Sequence, residues 1–272
     1  MTGAADGATR WALLVEYDGT PFVGWQRQAT GVSVQSVLEQ AASRLVNDAA
    51  VAVTAAGRTD AGVHAAGQVA HLDLPTGLIE SRGLTPKRLR DALNFHMRPH
   101  PIAVVAAAMV PPDWSARFSA NRRRYLYRIL NRPARPALER SRVWHVKPPL
   151  DPLPMREAAA MLVGRHDFTS FRATACQAKS PLRTLDRLEL VVAGGLIEIH
   201  AEARSFLHHQ VRNMVGTLKL VGEGRWQPGQ VATALAALDR AAAGPTAPAD
   251  GLFLMEVGYA QDPFAETGLS LP

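Results

Sequence analysis

The stretch Gly57-Arg58-Thr59-Asp60-Ala61-Gly62-Val63-His64-Ala65 gathers a carboxylate and a guanidinium between two glycines, with an imidazole two residues beyond the second. A carboxylate held this way can act as a nucleophile or as a general base. Glycines on either side permit tight turns and close approach of a substrate to the backbone. Arg58 stands two residues before Asp60, so on an extended backbone both side chains project to one side. A guanidinium there favours the charged carboxylate. Taken alone, an Asp followed closely by Gly more often caps its own turn, so the stretch needs context before it is read as catalytic.

Other reactive types are sparse. Cys176 is the only cysteine, in the polar segment RATACQAKS, which excludes an internal disulfide and reads as a plain structural thiol. His208 and His209 could ligate a metal, but the sequence spaces no third ligand with them, and contact with solvent or phosphate is the better reading. Neither GxxxxGK[ST] nor GxGxxG occurs, so no nucleotide cofactor is expected.

Charge points to a partner. The net charge is +6 and the sequence pI about 10.0. Nine arginines (117, 122, 123, 124, 128, 132, 135, 140 and 142) lie between Arg117 and Arg142 with one acid, Glu139. Guanidinium forks match phosphate oxygens, so a block this one-sided suggests a polyanion, nucleic acid above all. No apolar run approaches the ~20 residues that span a bilayer, and the first residues lack the pattern of a secretory signal. A cytoplasmic protein with no membrane association is expected.

The elements that must hold Asp60 follow from periodicity. Trp11–Tyr17 reads as a strand broken by Asp18-Gly19-Thr20-Pro21. A helix starts at the N-cap Ser33, with Val34, Val37, Leu38, Ala41 and Leu45 on one face. Strands are expected at Val51–Ala55 and Gln68–Leu74, with the Asp60 loop between them. Thr85-Pro86 opens a helix whose inner face is Leu89, Ala92, Leu93 and His96, and Ile102–Val110 closes a β-α-β-β-α-β unit. The second half repeats the order: strand 122–130, helix 153–163, a hairpin of 185–192 and 196–203 about Gly194-Gly195, helices 206–221 and 231–238, and strand 251–259. The expected fold is α+β, with two ferredoxin-like units whose antiparallel sheets meet across a cleft, as domains 1–112 and 113–272.

Context for Asp60 comes from a family. GRTDAGVHA, set between two strands, resembles the catalytic motif of the tRNA pseudouridine synthase A family. YDGTPFVGWQRQ, SVQSVLE, FSANRRRYLYRIL, GRHDFTSF, FLHHQVRNMVG and APADGLFL match further blocks in order along nearly the whole chain. Ser33 and Gln210 depart from the more usual Thr and Met, and neither is a catalytic type. The resemblance implies that Asp60 is the catalytic aspartate, acting on C1′ or C2′ of a flipped-out uridine. It further implies that Tyr125 contacts the substrate base, that Arg212 is a cleft arginine paired with the catalytic carboxylate, and that Arg58 either fills the space the base vacates or pairs with Asp60. Isomerisation of uridine to pseudouridine at tRNA positions 38, 39 and 40, without metal or cofactor, by a homodimer, is the implied activity.

Two alternatives compete. A non-catalytic protein with tandem RNA-recognition folds would need RNP1 spacing, which RRRYLYRIL lacks. A nucleoside hydrolase or glycosidase would need a second carboxylate, and the motif offers one.

Overall fold

The structure is a computed structural model describing residues 7–267. It is mixed α+β and divides into two compact units. One holds the described residues up to Asn121 together with those from Leu254 onward; the other is Arg122–Phe253. The sequence boundary at 112 therefore differs from the observed division. The last strand, from Leu254 onward, also goes with the first unit rather than the second.

In the first unit β1 (Ala8–Tyr17) pairs antiparallel with β3 (His64–Pro75) and with β4 (Ile102–Val110), while β2 (Val53–Ala55) pairs with β3. The resulting order is β4-β1-β3-β2, with β10 (Leu252–Tyr259) also next to β3. Two helices carry the apolar stripe that covers the sheet. Helix α1 (Val34–Ser43) begins as expected at Ser33, whose side chain and that of Ser36 cap each other's backbone N–H. A short helix α2 (Gly77–Arg82) precedes α3 (Pro86–His96), which Thr85 caps. Leu89 and Leu93 are fully buried on α3; each contributes about 1.5–3 kcal/mol by leaving water. His96 is exposed, so it does not line the inner face. Asn94 points inward instead and brackets the backbone of Val104, donating to its carbonyl at 2.9 Å and accepting from its N–H at 2.7 Å.

The second unit is a sheet in the order β5-β9-β8-β7, formed by β5 (Ala120–Asn131), β9 (Leu196–Ala203), β8 (Leu182–Ala193) and β7 (Gly164–Asp167). These pairings are antiparallel; β6 (Trp144–Val146) runs parallel to β5. Helix α4 (Pro152–Ala160) is capped by Asp151. Helix α5 (Gln210–Gly222) is the buried one, with Val211, Met214, Val215 and Leu218 at most 4% exposed, and α6 (Gly229–Ala236) follows. Alternation along β5 splits its residues: Tyr127 and Ile129 are buried on one face, while Arg124 and Arg128 turn to the other. Among the described residues no helix is long and apolar enough to cross a membrane.

Candidate active site

Asp60 lies in the connection between β2 and β3, half-buried, two residues beyond the exposed Arg58. This connection is strapped from the side by the segment that follows β1. The N–H of Trp25 donates to the carbonyl of Thr59 at 3.0 Å, and Gly24 in turn accepts from the N–H of Val34 at 3.2 Å. The strap therefore runs from the Asp60 loop into the first turn of α1. Gly24 sits at φ +107, and a Cβ there would lie 2.8 Å from the Thr59 carbonyl. Only glycine allows the two backbones to pass this closely. Within the loop the N–H of Val63 returns to the carbonyl of Asp60 at 3.2 Å, closing a tight turn.

Beneath the loop is a buried polar cluster. Tyr17 Oη lies 2.8 Å from Thr59 Oγ1, and Gln68 Nε2 donates to the carbonyl of Gly57 at 2.8 Å. Burial pushes the Tyr17 phenol up to about 12, outweighing its hydrogen bonds to Thr59 and Gln68. His64 is buried too, and its Nδ1 accepts from the N–H of Gly19 at 3.1 Å.

Arg58 is exposed and makes no ion pair among the described residues. Tyr125 and Arg212 belong to the second unit. Tyr125 is half-buried on β5, opposite Ala201 of β9, with its ring edge-on to Phe206 at 5.2 Å and 88°. Arg212 projects from the third position of α5, half-buried. Its Nε donates to the carbonyl of Ala247 at 2.8 Å. Its charge also reaches the buried Tyr127 phenol, although desolvation dominates there and holds that group far above its usual range.

The arginine block is less uniform than its composition suggests. Arg123 is buried and donates to the carbonyl of Arg204 at 2.6 Å. Arg124 lies 3.8 Å from Glu202, and Arg128 lies 2.9 Å from Glu139 and 3.5 Å from Glu198. Arg122, Arg132, Arg135, Arg140 and Arg142 are exposed. Sequence reasoning passed over Tyr17, Thr59 and Gln68. The one available signal was Gln68, an amide at the start of the expected strand Gln68–Leu74.

Comparisons with known proteins identify the family. The profile of a family described as tRNA pseudouridine synthase matches residues 13–119 and 158–260. The tRNA pseudouridine synthase A of Acidiphilium cryptum is 65% identical over 256 residues, covering 94% of this chain and 98% of its own length. That of Paramagnetospirillum magneticum is 59% identical over 250 residues, 92% of this chain and 95% of its own. That of Gluconobacter oxydans is 54% identical over 258 residues, 95% and 92% of the two chains. With the Asp60 loop inside the first matched segment and Arg212 inside the second, the chain belongs to the tRNA pseudouridine synthase family.

Proposed function

We propose that this chain isomerises uridine to pseudouridine in tRNA, at positions 38, 39 and 40 of the anticodon stem-loop, with Asp60 as the catalytic group. The observation that carries this reading is the Asp60 loop itself: a half-buried carboxylate fixed by backbone bonds from the strap, within the segment that matches the family. The reaction breaks the bond from C1′ to N1, turns the uracil and joins C1′ to C5; C5 loses a proton and N1 gains one. Atoms and electrons balance within one nucleotide, so the chemistry calls for no metal, nucleotide or redox partner. Asp60 serves either as the nucleophile at C1′ or as the base that takes the C2′ proton.

The other residues follow from what a flipped-out uridine needs. An extruded base loses its stacking neighbours, and the half-buried ring of Tyr125 supplies a replacement face. Exposed Arg58 is read as entering the space that the base leaves. Arg212 is read as the counter-ion of the catalytic carboxylate. A tRNA partner accounts for the excess of exposed arginine. We further read both units as ferredoxin-like, a reading supported in the first by the strand order β4-β1-β3-β2. The working form is read as a cytoplasmic homodimer.

The test is incubation with an unmodified tRNA transcript, followed by mapping of pseudouridine. New pseudouridine at positions 38 to 40 supports the reading. Released uracil would make the protein a hydrolase, and unchanged RNA would leave a binding protein.

A further inference from the structure

The Tyr17 hydroxyl has no part in the chemistry proposed above, yet it is buried directly under the Asp60 loop. Tyr17 is 4% exposed, and its Oη sits 2.8 Å from Oγ1 of Thr59, the neighbour of Asp60 in the chain. On its other side Gln68 Nε2 approaches at 3.5 Å while donating to the Gly57 carbonyl at 2.8 Å. Gln68 is fully buried, and its Oε1 has no hydrogen-bond partner among the described residues. An apolar side chain at this place in β3 would avoid the desolvation cost of that orphaned oxygen. The amide is retained at a cost in stability, and its donor goes to the loop.

The bonds converge at two points, the carbonyl of Gly57 and the side chain of Thr59, on the N-terminal side of Asp60. From the opposite side the Thr59 carbonyl accepts from Trp25. Thr59 is thus gripped by its side chain and by its backbone, and Asp60 has little freedom to shift where the loop leaves Thr59. The ring of Tyr17 packs at 6.0 Å from that of Trp25, so the two grips bear on each other.

We infer that Tyr17, Thr59 and Gln68 form a positioning network that sets the height and direction of the Asp60 carboxylate. The inference rests on the reading of Asp60 as the catalytic group. It predicts a defect in the chemical step rather than in tRNA binding, because none of the three side chains is exposed to an RNA surface. A merely structural cluster would lower the melting temperature and leave turnover by the folded enzyme intact.

The experiment compares the full chain with its Tyr17→Phe, Thr59→Val, Thr59→Ser and double Tyr17→Phe/Thr59→Val variants, on one tRNA transcript. Displacing a catalytic group by about 1 Å costs on the order of 100-fold, so Tyr17→Phe and Thr59→Val should each lower kcat by about 10- to 100-fold. KM and tRNA affinity should stay close to those of the parent. Thr59→Ser, which keeps the hydroxyl, should restore kcat. The double variant should be no slower than the worse single one, because both changes remove the same bond. Parent-like kcat in folded Tyr17→Phe or Thr59→Val would overturn the inference, as would losses confined to KM or multiplying in the double variant. Should Tyr17→Phe fail to fold, Thr59→Val with Thr59→Ser decides alone. Asp60→Asn, run alongside, separates the two readings. Full activity in that variant removes Asp60 from the chemistry, whereas an inactive Asp60→Asn beside a parent-like Thr59→Val overturns only the network.

Discussion

Arg212 and Ala247 bond each other twice: the arginine Nε donates to the Ala247 carbonyl at 2.8 Å, and the Ala247 N–H donates to the Arg212 carbonyl at 3.1 Å. One edge of the guanidinium is thereby fixed, and its plane with it. Lysine has a charge at similar reach but no Nε and no plane to fix. Arg212→Lys should therefore lower kcat about tenfold or more while changing the melting temperature little, since the backbone bond from Ala247 survives. Parallel turnover assays and thermal melts check this; a lysine variant with parent turnover would show that charge alone suffices.

Asp60→Asn should abolish pseudouridine formation and leave folding and tRNA binding nearly intact. The amide preserves shape but can neither attack carbon nor accept a proton. Mapping of modified uridines after prolonged incubation is the measurement. Appreciable product from a pure, folded variant would remove Asp60 from the mechanism.

Tyr125 is half-buried with its ring edge-on to Phe206, so its two substitutions should diverge. Tyr125→Phe keeps the π-face and should retain most activity if stacking is its task. Tyr125→Ala should lose about 1–3 kcal/mol of base stacking. If the hydroxyl moves a proton, Phe is already impaired by roughly 10²-fold or more. A purely core role gives a third pattern, in which Ala lowers the melting temperature and Phe alters nothing.

Salt dependence of tRNA binding should report on the exposed arginines and not on the paired ones. Charge-removing changes at Arg135 or Arg140 should each reduce the slope of log affinity against log salt by roughly 0.7 to 0.9 where a phosphate contact is lost. Arg124 and Arg128 already face Glu202, Glu139 and Glu198, so their removal should shift the slope less. The reverse ranking would place the RNA on the charged face of β5.

Stability should fall in mild acid because of His71. Its pKa is lowered from 6.5 to about 4, chiefly by burial and then by the nearby Arg10. The neutral ring also accepts the N–H of Ala116 at 3.2 Å on Nδ1. Unfolded, the group binds its proton near pH 6.5, so between 6.5 and 4 the unfolded chain holds more protons than the folded one. Stability therefore drops as pH falls through that window and is fully present above it. Asp73, held below its usual range by its bond to Arg10, loses its contribution only at lower pH. Melting temperatures across pH 4 to 8 for the parent and His71→Gln separate the two; the variant should show a flatter profile above pH 4.

Much of this was legible from residue types. Ser33 and Thr85 marked two helix starts because capping is a local property of one side chain and its own backbone. Ile102–Val110 and Leu196–Ala203 match their expected spans, since an apolar run in the one and strict alternation in the other leave little latitude. Where long-range packing decides, the reading slipped. The helix expected from Phe206 begins at Gln210, because His209 adopts a left-handed φ of 63° that a continuous helix cannot contain. Strand β3 starts at His64, before the expected Gln68, because pairing with β1 reaches back to Ala65. The short β6 and β7 exist only through their partners in the sheet. Asp60 stood out because its loop is a contiguous motif. The cluster of Tyr17, Thr59 and Gln68 did not, because three separate segments build it.

The return of β10 to the first unit has a consequence for how the chain is made. Leu254–Tyr259 lies beside β3, and Tyr259 bonds the Ala116 carbonyl at 2.8 Å while its ring meets Trp114 at 5.0 Å. As the polypeptide leaves the ribosome, the half that begins at Arg122 emerges as one continuous stretch ending at Phe253. The half that carries Asp60, although translated first, must wait for a strand translated after all of the other. Its nascent form leaves exposed, for most of synthesis, the part of the β3 edge that β2 does not pair with, which is where premature termination or strand capture by another chain would do its damage.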